Sequence, residues 1–460
     1  LRLGKREKVK KLKLWNSFIT GENFMRKRFL CSALFITILL LKPIYSQQAN
    51  SDSLTINEAI KQTLSNQPLI TQAMEQINEV DAKIKEQKSS YYPSVESNLS
   101  YTYVGPLISL TFPGLGNFDF NTLNNYNMNV SAKQVLYDFG SRDAAMELAK
   151  SYKLSAEEKV NLIKSNLAYQ TIQIFYTILF LEKSIDVKNE QINTLSAHLE
   201  IAKKKVESGS STDFDVLTTE VRVASAQNEL IDLQNALDKG KIYLRSLIGN
   251  EGEWSTNLSG DFSISIPDIN EASLISKAFS LRPEIKLAKE NEGSAKLSTQ
   301  VAGLGNKPTL SVGLGYGLEN GLFPDLDVLR GTWFAALSAN IPIFDGYKTD
   351  AKKEEAEADL KSSTQEILIQ ERKIKAEVQS AAADLKTSMD KLKTTEVQVK
   401  HATEAVSRAV AQYRDGVITN LDLIDADTAL AEAKLLYLQV LYKNVVNKYA
   451  LDQVVGEVVW

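Results

Sequence analysis

Pro93-Ser94-Val95-Glu96-Ser97-Asn98-Leu99-Ser100-Tyr101-Thr102-Tyr103-Val104 alternates in character from residue to residue. Val95, Leu99, Tyr101 and Tyr103 fall on odd positions, and Glu96, Asn98, Ser100 and Thr102 on even ones. Neighbouring side chains of a strand point to opposite faces, so this period of two predicts a strand with one apolar face. Its length suits a bilayer-spanning strand, which crosses in about 9–11 tilted residues. The pattern recurs at 127–137, where Met128, Val130, Ala132 and Leu136 alternate with Asn127, Asn129, Ser131 and Lys133. It recurs at 308–317, where Leu310, Val312, Leu314 and Tyr316 alternate with Ser311, Gly313, Gly315 and Gly317. At 332–344 the contrast is weaker: Trp333, Ala335, Leu337, Ala339 and Ile341 share one face.

Four strands cannot close. Backbone groups cannot face lipid unpaired, and closed membrane barrels start at about eight strands, so several chains must share the wall. Three chains would give twelve strands in a C₃ ring, a permitted closed symmetry. A soluble four-stranded sheet packed on helices is the alternative. It leaves the aromatic positions Tyr101, Tyr103, Tyr316 and Trp333 without the membrane interface that suits them.

Working outward, the chain repeats itself. Pro68 and Pro283, and Pro93 and Pro308, are both separated by 215 residues. Asp138 and Asp345, Gly209 and Gly416, and Gly249 and Gly456 are separated by 207. One length change of eight residues reconciles the two offsets. The halves are 50–250 and 270–456, joined by a Gly/Ser/Asn/Asp-rich linker at 250–269, with a tail at 457–460. Each half reads as a helix (54–91, 270–305), two strands, a long helix (140–207, 347–414), a turn at Gly209 or Gly416, and a returning helix (213–248, 420–452). The long helices contain neither Pro nor interior Gly and would each extend ~100 Å. Heptad-like apolar positions rich in Ala let neighbouring helices approach closely. The predicted class is mainly α with membrane β: a trimeric α-barrel of long antiparallel helices, plus four strands per chain in a 12-stranded transmembrane β-barrel.

The 460 residues include one Cys and two His, which leaves little for a disulfide framework or a His-based metal site. Met25-Arg26-Lys27-Arg28, the apolar run 29–41 and Lys42-Pro43 have the order of a secretory signal peptide over 25–46, cleaved after Ser46. A membrane anchor is the alternative, but the run is short against the roughly 20 residues a spanning helix needs. Residues 1–24, which begin with Leu1, are expected to be a non-native extension ahead of the true start at Met25. Without 1–46 the chain has 42 Lys and Arg against 55 Asp and Glu, a net charge of −13. That balance argues against nucleic-acid binding, and loss of Cys31 would leave a thiol-free protein suited to an oxidising compartment.

Tyr413-Arg414-Asp415-Gly416-Val417-Ile418-Thr419-Asn420-Leu421-Asp422-Leu423-Ile424-Asp425-Ala426 resembles the Tyr-x-x-Gly…Asp-Val-Leu-Asp-Ala signature at the periplasmic tip of TolC-like outer-membrane efflux ducts. Gly209-Ser210-Ser211-Thr212-Asp213-Phe214-Asp215-Val216-Leu217 is its first-repeat copy, and the likeness covers 50–456. The resemblance implies a homotrimer in the outer membrane with a large periplasmic part. It would take cargo from an inner-membrane transporter of the RND or ABC class through a periplasmic adaptor, as a passive conduit with no cofactor and no enzymatic activity. It also implies lumen constriction rings at Asp422 and Asp425, though both also fit as helix-start carboxylates favoured by the macrodipole. A tip gating link is implied between Tyr413 and Asp215, while Ile418 stands where the family has an Arg. The adaptor is expected to dock on Gly209, Ser210, Ser211, Thr212, Gly416, Val417, Ile418 and Thr419.

Other features are set aside. Gly313-Leu314-Gly315-Tyr316-Gly317 lies on an alternating strand without a following helix, so it is not a phosphate loop. His198 and His401 are mid-helix without nearby partners in sequence, Lys203-Lys204-Lys205 reads as a solvated face, and Trp460 follows a helix rather than a final strand. A periplasmic adaptor is the closest rival function, but it should carry a single coiled coil flanked by compact β domains. A soluble coiled-coil protein is a third class, and it would need no signal peptide.

Overall fold

The computed structural model describes residues 53–458 apart from 115, 251, 253–256 and 265–268. The signal peptide, Cys31, the expected extension and Trp460 lie outside the described residues. In the first half come β1 (Leu54–Thr55), α1 (Ile56–Asn66), α2 (Pro68–Ser89), β2 (Ser94–Tyr103), β3 (Ser109–Phe112), β4 (Gly116–Asp119), β5 (Asn124–Tyr137), α3 (Ser141–Glu207) and α4 (Asp213–Ile248). After β6 (Leu258–Ser259), the second half contributes α5 (Glu271–Leu281), α6 (Pro283–Gly303), β7 (Thr309–Glu319), β8 (Arg330–Asn340), α7 (Lys348–Arg414) and α8 (Asn420–Val455).

The four long strands form one antiparallel sheet in the order β2-β5-β7-β8. Its register aligns the apolar positions of all four. Leu99 pairs with Met128, Ala132 with Leu314, and Leu314 in turn with Ala335. Val130 pairs with Tyr316, and Tyr316 with Trp333. Because the period is two, one in-register face is apolar across the whole sheet, and the opposite face carries Glu96, Asn98, Asn127 and Asn129. The glycine run at 313–317 has a packing reason. The Phe334 ring lies across Gly315, where a Cβ would come within 2.2 Å of it. Among the described residues, β2 and β8 each have one ladder neighbour, so both sheet edges remain free for strands of further copies. No described helix is long and apolar enough to cross a membrane.

One expectation needs correction. The helices read at 54–91 and 270–305 are each broken in two, at Gln67 and Arg282. Both residues precede a proline, whose ring drives the preceding residue out of the α region; Gln67 has ψ 120° and Arg282 ψ 130°. Each proline then starts the next helix at a position where its missing N–H costs nothing. The linker also does more than join the repeats. Leu258 and Ser259 pair in parallel with Leu54 and Thr55, and Phe262 packs on the core.

α3 and α7 each contain 67 residues, about 100 Å of helix. Packing is densest near their midpoints. There Ile60 of α1, Ile172, Phe175 and Ile178 of α3, Leu244 of α4 and Val445 of α8 make one buried cluster. Ala278, Ile285, Ile374 and Val378 make a counterpart in the second repeat. Phe175 is fully buried and contributes roughly 1.5–3 kcal/mol by desolvation alone. The short helices thus clamp the midpoints of the long ones, and the strands and the helical turns extend in opposite directions from this girdle.

Candidate functional site at the helical turns

The turns at 208–212 and 415–419 end α3 and α7 at a glycine with positive φ, +72° at Gly209 and +76° at Gly416. A Cβ at either site would meet only open space, so backbone conformation alone demands glycine. Gly416→Ala is expected to destabilise the turn by about 1–2 kcal/mol. Faster tryptic cleavage at Arg414 in the variant trimer would register it; an unchanged cleavage rate would contradict it.

Threonine then starts each returning helix. Thr212 with Asp215, and Thr419 with Asp422, form reciprocal capping boxes at equivalent positions of the two repeats. The Thr419 hydroxyl donates to Asp422 at 2.6 Å and its N–H at 2.9 Å. These bonds, the hydroxyl first, hold the exposed Asp422 carboxyl below the usual carboxylate range. Asp422 therefore fills the helix-start role as well as facing solvent. Asp425, one turn on and exposed, is 3.6 Å from Arg222 of α4.

Tyr413 and Asp215 are near each other but not hydrogen-bonded. The Tyr413 hydroxyl is buried without a partner, while Asp215 Oδ2 accepts from Ser211 at 2.5 Å and from Thr212. Burial, and secondarily the Asp215 charge, push the phenol's pKa up. The ring packs against Ala409 and Leu423, with Ile418 alongside. Lys205 caps it: its Nζ lies 3.7 Å from the ring centroid and donates to the Tyr413 carbonyl at 3.1 Å. A cation from the other repeat, on a residue read from sequence as solvated, thus lies against the tip tyrosine. Of the positions expected to dock the adaptor, Gly209, Ser210, Thr212, Gly416, Val417 and Thr419 are exposed, and Ser211 and Ile418 half-buried.

Sequence reasoning also missed Asn420. This residue is buried, and its Nδ2 donates to the Asp215 carbonyl at 3.2 Å and to Thr219 Oγ1 at 2.9 Å. Lys205–Tyr413, Asn420–Thr219 and Arg222–Asp425 therefore tie the repeats together at their turns. A departure from repeat symmetry could have flagged them: at the 207-residue offset, Lys205 meets Gln412 and Arg222 meets Ala429.

Comparison with known proteins now decides the family. The model of the outer membrane efflux protein family matches residues 59–250 and 274–457, one match per repeat. The chain belongs to that family. This efflux protein is 20% identical to the cobalt-zinc-cadmium resistance protein CzcC of Cupriavidus metallidurans, over 69% of this chain and 74% of the relative. It is 20% identical to the cation efflux system protein CusC of Escherichia coli K12, over 87% of this chain and 86% of that one. Among solved structures, CusC superposes with a TM-score of 0.76 at 19% identity, covering 87% of this chain and 92% of CusC. The Campylobacter jejuni CmeC outer membrane channel gives 0.76 at 15% identity, covering 87% and 85%. The protein is therefore an outer-membrane efflux channel with a large periplasmic part, a passive conduit and not an enzyme. Like its family it works as a homotrimer with a periplasmic adaptor and an inner-membrane pump, and three copies of the sheet supply the twelve strands.

Proposed function

We propose that the turns of α3–α4 and α7–α8 form the gate of this duct, with Asp422 and Asp425 as its lumen rings. Lys205, Tyr413 and Asn420 hold the closed arrangement, and the adaptor docks on 209–212 and 416–419. The observation that carries this reading is the set of ties between the repeats at the turns, on the same stretch that holds the two exposed carboxylates. Three copies of each carboxylate around an axis would attract cations and repel anions. Cations are then the cargo class the lumen admits most readily, in keeping with one relative named for cation efflux and another for cobalt-zinc-cadmium resistance.

The test is ion selectivity of the trimer in a planar bilayer under a salt gradient. Asp422→Asn with Asp425→Asn is expected to bring a cation preference of roughly tenfold down toward unity. An unchanged reversal potential would place the selectivity elsewhere. Cysteines introduced at Ser210 and Val417 should crosslink to the adaptor; crosslinks confined to α1, α2, α5 and α6 would reject the docking assignment.

A further inference from the structure

About 16 Å along α3 from its turn, His198 meets Asp427 of α8. Each stands eleven residues from its own turn glycine, so they lie at one depth. Both are more than nine-tenths buried, and imidazole Nε2 is 2.6 Å from Asp427 Oδ2. The contact is close but not a well-aligned hydrogen bond: both ring nitrogens and this oxygen lack a directed partner. It is a buried polar contact between the first repeat and the helix that carries Asp422 and Asp425.

One side of the pair is apolar. Leu195 of α3, Ala226 of α4 and Ile424 of α8 close over one side. Several charged groups on these helices pair elsewhere. Lys434 of α8 bonds Glu190 of α3, Arg222 of α4 lies 3.6 Å from Asp425 of α8, and Lys203 of α3 lies near Glu220 of α4. Beside Asp427 a cavity of about 30 Å³, lined by Gln191, Thr194, Leu430 and Lys434 among others, has room for one water.

We propose that His198 and Asp427 are the positioning pair of the gate: they clasp α8 against α3 and so set where the acidic turn of α8 sits. This rests on the gate reading above. A buried carboxylate left without its partner is strongly disfavoured, so the contact favours the clasped, closed arrangement.

The experiment is closed-state conductance of the trimer in planar bilayers. Only two histidines occur in the chain, and the other, His401, is exposed on α7 and serves as the control. His401→Gln should keep the wild-type conductance. His198→Gln should raise it by about tenfold. Asp427→Asn should do the same, and the double variant should be no worse than either single one, a coupling that two independent losses would not give. Wild-type conductance in His198→Gln, or additive effects in the double variant, overturns the proposal. Asp425→Ala separates the two readings. If it leaves conductance untouched, the gate reading fails; if it opens the channel while His198→Gln does nothing, only the clasp fails.

Discussion

Leu314→Arg is expected to remove the trimer from the outer membrane, while Ser100→Arg leaves it there. Leu314 sits on the inner strand β7, in register with Ala132 on one side and Ala335 on the other, in the middle of the apolar face. Ser100 lies on β2 opposite Asn127, on the polar face. An arginine on the lipid face near the bilayer midplane costs about 2–4 kcal/mol, and a lumen-facing one far less. A homotrimer carries three copies, so the penalty at position 314 reaches about 6–12 kcal/mol per assembly, comparable to the whole stability of an ordinary domain. Membrane fractionation with unheated gel electrophoresis reads the result as presence or absence of a trimer band. Equal behaviour of the two variants would mean that the faces are assigned the wrong way round or that the sheet does not line a barrel.

That face was legible because it is a local property. A period of two is visible within ten residues of β2, and the structure needed only to pair Leu99 with Met128 and Val130 with Tyr316 for one face to continue across the sheet. The turns were legible too, because Gly209 and Gly416 repeat a backbone requirement, and the threonine–aspartate caps repeat three residues apart within each copy. What escaped notice lies between the repeats. Lys205 finds Tyr413 across 208 residues, and His198 finds Asp427 across 229, separations at which no periodicity operates. The helix breaks at Pro68 and Pro283 escaped for a different reason. The prolines mark the repeat by their spacing, while their effect on Gln67 and Arg282 is steric and acts on the residue before them. Asp215 shows the limit of carrying a role over by position. It stands where an acceptor for Tyr413 belongs, yet Ser211 and Thr212 already occupy its carboxylate.

Tyr413 gives the sharpest test of that last point. If the tyrosine held the gate through its hydroxyl, Tyr413→Phe would release it. Here the hydroxyl is buried without a hydrogen-bond partner, an arrangement that costs about 1–3 kcal/mol. Tyr413→Phe should therefore leave closed-state conductance unchanged and hold or raise the melting temperature of the trimer. Tyr413→Ala removes the ring itself. Truncating a buried aromatic to alanine typically costs about 3–5 kcal/mol. The Lys205 ammonium over the ring face adds about 0.5–2 kcal/mol to what is lost. If only about 1.4 kcal/mol of that total favours the closed arrangement over the open one, the ratio of the two shifts tenfold in each protomer. Lys205→Met should fall between the two variants, because it keeps the ring packed against Leu423 and Ala409 but loses the cation and the bond to the Tyr413 carbonyl. Single-channel recording would rank the three. A phenylalanine variant as leaky as the alanine one would restore the hydroxyl link to Asp215 and displace Lys205 as the cation that holds the turn.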